Sequence, residues 1–250
     1  MTRSLLEHST LGDIVSRDFR AGAILDRYGL DYCCGGARSL AEGCAQRGIS
    51  LVEVLSELEA LDPGSRERVE DDPAALVDYI VSRHHAYVRT SLPVIQAHLA
   101  KVVFAHGANH TELSFIEAAF SKVARELLQH MVKEEQVLFP YIRALADAVR
   151  GDTPPPADLF GTVQNPIRMM EIEHQEAGDG LAAIHQMTHG YQPPDDACGT
   201  YCLVLEELDA FERDLHTHVR LENSVLFPKA IELESKVEHS TRGLKSQRWE

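Results

Sequence analysis

Apolar residues recur at steps of three and four along four long segments of the chain, and this period predicts amphipathic helices. The segments cover residues 77–99, 116–141, 167–184 and 204–225, and the second is expected to keep one buried face through Val137 to its end. Proline-rich breaks at 153–156 and 192–194 separate the later segments. No segment alternates like a strand. The pattern therefore predicts an all-α protein whose main part is an antiparallel four-helix bundle.

The first 60 residues show a different pattern of shorter helical segments. Three of these open with a hydroxyl residue followed three positions later by an acid, which is typical of helix N-termini. The pairs are Thr10 with Asp13, Ser39 with Glu42 and Ser50 with Glu53. We predict a small helical domain over 1–60, a charged linker over 61–72, the bundle over 73–235 and a polar tail over 236–250. Asp72-Pro73 is a suitable start for the first bundle helix.

Charge and cysteine content indicate which partners and which cellular compartment to expect. With 39 acidic and 24 basic residues the 250-residue chain carries a formal charge of −15, so we expect neither nucleic acid nor an anionic membrane surface as a partner. The N-terminal residues do not resemble a signal peptide, and the five cysteines include no C-x-x-C pair. These features favour a protein of the reducing cytoplasm, without a disulfide framework.

Candidate chemistry lies on the four apolar stripes, because each is interrupted by a histidine and two also carry a glutamate. A buried carboxylate without a partner loses several kcal/mol of solvation, and a metal ion can supply the missing charge. The alternative is that these are core histidines hydrogen-bonded to glutamates, with no metal. A single histidine-glutamate pair would favour that alternative, whereas six polar groups aligned on four stripes favour a metal. The candidate metal ligands are His85, His130, Glu134, His174, His218 and Glu222.

The two glutamate-bearing segments are near copies, HMVKEEQVLFP from His130 and HVRLENSVLFP from His218. Histidine and glutamate four positions apart share one helix face. His85 precedes His130 by 45 residues and His174 precedes His218 by 44, so the chain contains two similar helix pairs. This predicts two metals, each bound by two imidazoles, with both glutamates bridging them. Imidazole and carboxylate without thiolate suit iron or manganese.

Several other histidines and one glutamate lie close to members of this set in the sequence or on the helices. His84 competes with His85, but the apolar stripe and the repeat spacing favour His85. Glu135 is turned about 100° from Glu134 and is expected to be solvated. Histidines that match neither repeat, among them His106 and His110, are interpreted as surface or ordinary core residues.

The chain resembles a known family at this point, the Repair of Iron Centres proteins, which are hemerythrin-like di-iron proteins of bacteria. The resemblance covers nearly the whole chain. It is carried by DYCCGG from Asp31, by HMVKEEQVLFP, by MEIEHQEAG around His174 and by HVRLENSVLFP. It implies two non-haem irons, bridged by oxo or hydroxo, on the six ligands named above.

The resemblance also assigns roles to residues outside the ligand set. Glu126 and Glu173 match acidic positions near the family's centre, where they would support the ligands or line a channel; solvated residues at the edges of the stripes are the alternative. Cys33 and Cys34 match the accessory domain, and either exposed thiols or small buried side chains fit them. Gly178 and Asn223 stand where an oxygen-carrying hemerythrin has a further histidine and an aspartate, which argues against reversible oxygen carriage.

The implied function is repair of iron-sulfur clusters damaged by oxidative or nitrosative stress, through iron donation or through nitric oxide chemistry at the iron pair. The expected partners are iron-sulfur client proteins and small ligands such as nitric oxide or oxygen, and a homodimer is compatible with the sequence. The alternative is a hemerythrin-like protein that binds or senses oxygen or nitric oxide without turnover. Enzymatic activity stays open between these readings.

Overall fold

The computed structural model describes residues 3–17, 20–30, 32, 38–61, 72–157 and 159–246. Helices account for most of these residues, and within them the only β-type pairing is an isolated bridge between Thr10 and Ser39. The predicted all-α class is confirmed: a four-helix bundle is preceded by a small helical region. No described helix is long and apolar enough to cross a membrane.

Five short helices form the N-terminal region, and the predicted polar caps are present at three of them. Thr10 Oγ1 accepts from the Asp13 amide at 3.0 Å, and Ser39 and Glu42 form a reciprocal capping box. Apolar side chains from several of these helices pack into one buried cluster. The helices are α1 (Arg3–His8), α2 (Leu11–Arg17), α3 (Arg20–Arg27), α4 (Leu40–Arg47) and α5 (Leu51–Glu59), with the Ser50 cap before α5.

Four long helices build the bundle, and three of them contain a π-helical segment. Asp72 caps the first by accepting from the Ala74 amide at 3.1 Å, with Pro73 at the first helical position as predicted. In chain order the segments are α6 (Pro73–Tyr79), π1 (Ile80–His85), α7 (Ala86–His106), α8 (Glu112–Lys133), π2 (Glu134–Leu138), α9 (Phe139–Arg150), α10 (Gln164–Met187), α11 (Gly199–Leu221), π3 (Glu222–Leu226) and α12 (Phe227–Ser246).

Two hydrophobic clusters fill the bundle. The larger lies among α7, α8, α10 and α11, around Phe120 and Phe211. The smaller lies where α6, α9 and α12 continue past the π segments, around Phe139 and Phe227. The polar stripe residues lie between the two clusters, so apolar packing encloses them at both ends.

The N-terminal region contacts the bundle at one of its π segments. Helix α2 packs against π3, and the guanidinium of Arg220, just before π3, lies 5.9 Å from the ring centre of Tyr32. Cys33 and Cys34 lie outside the described residues, as does most of the predicted linker. At the other end of the chain, α12 continues to Ser246 through part of the predicted polar tail.

The π segments change which residues face the core. Val137 was expected on the buried face but is 44% exposed, whereas Leu138 is only 2% exposed. The expectation of one continuous face was wrong because π2 adds a residue to the turn and rotates everything after it. In π1 the same effect buries both His84 and His85, which a regular α-helix would point about 100° apart.

Candidate metal centre

The four predicted histidines meet in two pairs inside the bundle. His85 Nε2 lies 3.1 Å from His218 Nε2, and His130 Nε2 lies 3.0 Å from His174 Nε2. The first pair joins the first and fourth bundle helices, and the second pair joins the second and third. All four imidazoles are buried. Each pair therefore aims two ring nitrogens at one point.

Each buried glutamate presents one oxygen to each pair. Glu134 Oε2 lies 3.3 Å from His85 Nε2, and Glu134 Oε1 lies 3.3 Å from His130 Nε2. Glu222 Oε1 lies 3.0 Å from His218 Nε2, and Glu222 Oε2 lies 3.1 Å from His174 Nε2. The six side chains thus form two four-residue groups that share both carboxylates.

The repeated Leu-Phe-Pro sequence explains how the helices hold these carboxylates. The amide of Phe139 bonds to the carbonyl of Glu134, and the amide of Phe227 bonds to that of Glu222, each five residues back. The following prolines, Pro140 and Pro228, have no amide hydrogen to continue an α-helical ladder. The wide turn therefore starts at the glutamate in both repeats.

The two phenylalanines also pack directly on ligand rings. Phe139 stacks on His85 with centroids 5.7 Å apart, and Phe227 stacks on His174 at 6.1 Å. Each repeat thus supports a histidine from a different helix. This contact restricts the plane of each imidazole from one side.

Hydrogen bonds at Nδ1 orient three of the four imidazoles. His85 Nδ1 lies 2.6 Å from Glu135 Oε1, His130 Nδ1 lies 2.9 Å from Glu173 Oε2, and His174 Nδ1 lies 2.9 Å from Asn223 Oδ1. An acceptor at Nδ1 keeps the proton there and leaves the Nε2 lone pair free for a metal. Glu135 thus accepts a hydrogen bond from the buried ring of His85, contrary to the expectation that it is only solvated.

The donor set fits a pair of metal ions. Among the described residues, both oxygens of Glu134 and Glu222 Oε2 have no hydrogen-bonded donor although they are buried. Such carboxylates are costly without a cation. Two nitrogen ligands about 2.1 Å from one metal and about 90° apart lie about 3 Å from each other. The two Nε2 separations, 3.1 and 3.0 Å, match that spacing.

The electrostatics of the cluster favour added positive charge. Burial opposes protonation of His85 and His130, but the neighbouring carboxylates outweigh it and raise the pKa of both imidazoles to about 10. Burial likewise opposes ionisation of Glu222, but His218 and His174 hold the pKa of that carboxyl well below its usual range. Protons and metal ions therefore compete for the same nitrogens.

Glu173 and Glu126 lie beside the His130 pair at different depths. The hydrogen bond from His130 and the ammonium of Lys133 hold the pKa of Glu173 at about 2. Glu126 is 38% exposed and pairs with Lys122 at 3.9 Å. Glu126 and Glu173 line a cavity of about 90 Å³ that reaches His130. This cavity has room for a small diatomic molecule and excludes a peptide.

His84 is a buried neighbour of the centre that belongs to neither ligand group. Its ring stacks on His218 with centroids 5.7 Å apart, and its Nδ1 lies 3.1 Å from Asp214 Oδ1. The sequence patterns indicated His84 only as a competitor of His85 and Asn223 only as a departure from oxygen-carrying hemerythrins. They indicated no role for Phe139 or Phe227. The duplicated segment held the signal for both phenylalanines and for Asn223, which directly follows Glu222.

Comparisons with known proteins match both parts of the chain. A family model described as the hemerythrin HHE cation binding domain matches residues 76–230, and one described as a domain of unknown function (DUF542) matches residues 7–62. The iron-sulfur cluster repair protein YtfE of Escherichia coli O157:H7 is 32% identical over 88% of this chain and 96% of its own length. Its counterpart in Yersinia pestis (strain Pestoides F) is 33% identical over 90% and 97%.

Proposed function

The chain belongs to the family of iron-sulfur cluster repair proteins with a hemerythrin HHE cation-binding domain, and on this premise we propose that it repairs iron-sulfur clusters with a pair of non-haem irons. The damage would come from oxidative or nitrosative stress. One observation carries the proposal: two buried carboxylates each face both histidine pairs.

The ligands proposed for the iron pair are the six clustered side chains. His85 and His218 would hold one ion and His130 and His174 the other, with Glu134 and Glu222 shared between them. No thiolate belongs to either group, which favours iron over the metals that prefer sulfur. Bound ferrous ions would supply either transferable iron or reducing equivalents for nitric oxide.

The residues around the centre support both uses of the iron. The Nδ1 acceptors Glu135, Glu173 and Asn223 hold the imidazoles in place, and the apolar clusters exclude water on both sides. Glu126 and Glu173 would line the route by which a small ligand or an iron ion passes His130. A carboxylate-lined route suits a cation, because each acid offsets part of its lost hydration.

The proposed partners follow from this chemistry. Clients would be iron-sulfur proteins, and small ligands would be nitric oxide or oxygen. The formal charge of −15 disfavours nucleic acid and anionic membranes as partners. We place the protein in the reducing cytoplasm, where such clients reside; a homodimer is compatible with this role.

One experiment separates the mechanisms. The purified protein is loaded anaerobically with ferrous iron, desalted and divided. One portion is mixed with an apo iron-sulfur protein, and cluster formation is followed by absorption. The other portion receives nitric oxide, and nitrous oxide is measured. Iron transfer supports donation, nitrous oxide supports nitric oxide reduction, and ligand binding without either outcome supports a carrier or sensor. Failure to bind iron at all would refute the proposal.

A further inference from the structure

A second group of histidine and carboxylate side chains lies at one end of the bundle, away from the centre. His106 is the last residue of α7, His110 lies in the following turn, and Asp196 lies in the loop before α11. One ligand atom from each lies within 4.8 Å of the others. The length of α7 separates His106 from His85 by about 30 Å, so the two sites share no ligand.

His110 is held in the orientation that a metal ligand requires. Its Nε2 lies 2.9 Å from Asp196 Oδ1 and 3.1 Å from Oδ2, and its Nδ1 lies 3.1 Å from Glu112 Oε1. With a cation between Nε2 and Asp196, the Glu112 carboxylate would keep the remaining ring proton on Nδ1 and leave the Nε2 lone pair to the metal. Glu112 thus plays the supporting part that Glu135 plays for His85.

A backbone hydrogen bond and an aromatic ring hold His106 and His110 next to each other. The amide of His110 donates to the carbonyl of His106 at 2.9 Å, which closes the turn between α7 and α8. The ring of Tyr201 packs against both imidazoles, with centroids 5.4 and 5.7 Å away. The His110 side chain is 16% exposed and that of Asp196 is 56% exposed, so the group faces solvent on the Asp196 side.

Other histidines of the bundle form simpler contacts. His98 pairs with Glu207, and His185 pairs with Glu212, each as one imidazole with one carboxylate. Such isolated pairs are ordinary ion pairs. Among the described residues outside the candidate centre, only the group at the end of α7 combines two imidazoles with a carboxylate.

We propose that His106, His110 and Asp196 form a second, solvent-facing site for one divalent transition-metal ion of the Fe²⁺ or Zn²⁺ class. Three protein ligands leave coordination positions for water, which is typical of an exchangeable site rather than a closed structural one. Imidazole and carboxylate donors match this class of metal. The site is independent of the proposed iron pair and of its function.

The test uses the full chain with its iron centre already filled and oxidised. Zn²⁺ is titrated by calorimetry in a buffer that does not chelate metals, while the visible absorption of the iron is monitored. We expect one zinc ion to bind per chain with the iron absorption unchanged. Co²⁺ in place of Zn²⁺ should give ligand-field bands without a thiolate charge-transfer band.

Two variants and one control assign the binding to these residues. His110→Ala and the conservative Asp196→Asn should each weaken zinc binding by about tenfold or more. His185→Ala removes a half-exposed histidine from an ordinary ion pair and should bind zinc as the unmodified chain does. Equal affinity in all four proteins, no zinc binding, or a cobalt-thiolate band would overturn the proposal.

Discussion

The two halves of the candidate centre use the same ligands but different supports. In the first half, Glu135, which follows Glu134, holds Nδ1 of His85; in the second half, Asn223, which follows Glu222, holds Nδ1 of His174. His85 is thus supported by a charged acceptor, whereas His174, its counterpart in the repeat, is supported by a neutral one. The repeated ligand pattern therefore does not make the two halves electrostatically equivalent.

The second difference concerns the other two imidazoles, His130 and His218, and here the second half has the charged support. Glu173, just before His174, accepts from His130 Nδ1. His84, just before His85, only stacks on the ring of His218, and the Nδ1 of His218 has no hydrogen-bond acceptor among the described residues. Each half consequently has one carboxylate-supported imidazole. The halves differ in where that support lies and in the cavity, which reaches His130.

The largest effect should come from the residues that both halves share. Glu134→Ala or Glu222→Ala removes a carboxylate from both metal positions, and iron content should fall from about two to below about one per chain. Metal analysis and visible absorption measure this loss. Glu171→Ala, at an exposed position of α10, is the matched control. Two irons retained with unchanged spectra in both variants would refute the bridging role.

Replacement of a single histidine ligand should affect iron binding in one half only. His85→Ala should remove about one iron of two, because the first half then keeps one imidazole. His84→Ala should leave two irons bound, since His84 bonds to Asp214 and belongs to neither ligand group. Iron stoichiometry after desalting distinguishes these outcomes. The reverse pattern would move His84 into the site in place of His85.

Metal loading should release protons from both halves. With pKa values of about 10, His85 and His130 are protonated at pH 7.5 and must lose those protons to bind iron. We expect about two protons per centre, so the apparent affinity for the pair should rise about a hundredfold per pH unit. Anaerobic calorimetry in buffers of different ionisation enthalpy counts these protons. Release of none would contradict the raised pKa values.

The same pKa shifts predict the stability of the metal-free chain. Because the folded-state pKa of both histidines is raised, their contribution is complete below the unfolded value of 6.5 and is lost as the pH rises through about 10. The pKa of Glu222 is lowered, so its contribution is present above its unfolded value of 4.5 and is lost in acid. Thermal unfolding at a series of pH values checks both signs.

Substitution of the supporting acids should have smaller effects, each confined to one half. Glu135→Ala should weaken iron binding at the His85 position by about 10- to 100-fold, and Glu173→Ala should do the same at the His130 position. Stepwise ferrous titration resolves the two affinities. Glu135→Gln and Glu173→Gln retain an acceptor and should lose less. Equal weakening of both irons by either alanine variant would show that the halves are not independent.

Removal of the N-terminal region should have the smallest effect. A fragment of residues 70–250 contains every proposed ligand and should bind two irons like the full chain. The lost contacts are those of α2 with π3, which begins at Glu222, and that of Tyr32 with Arg220, and neither α2 nor Tyr32 supplies a ligand. A Cys33→Ser/Cys34→Ser double variant of the full chain separates the thiols from the rest of this region. A folded fragment that binds no iron would place a ligand outside the bundle.

The sequence alone determined the helical class, the polar caps and the six residues that come together. Apolar period and a duplicated H-x-x-x-E motif are local signals, because residues four apart on a helix share a face whatever surrounds them. The same reasoning placed Thr10, Ser39 and Asp72 at helix starts, where the structure shows their side-chain bonds.

The tertiary structure alone decided the π segments and the contacts between helices. The burial of His84 and the exposure of Val137 depend on one extra residue per turn, which an α-helical period does not encode. The bonds of Glu135 to His85 and of Asp196 to His110 join residues far apart in sequence. Such pairs carry no periodic signal, since their distance is set by how the helices pack and not by their spacing along the chain.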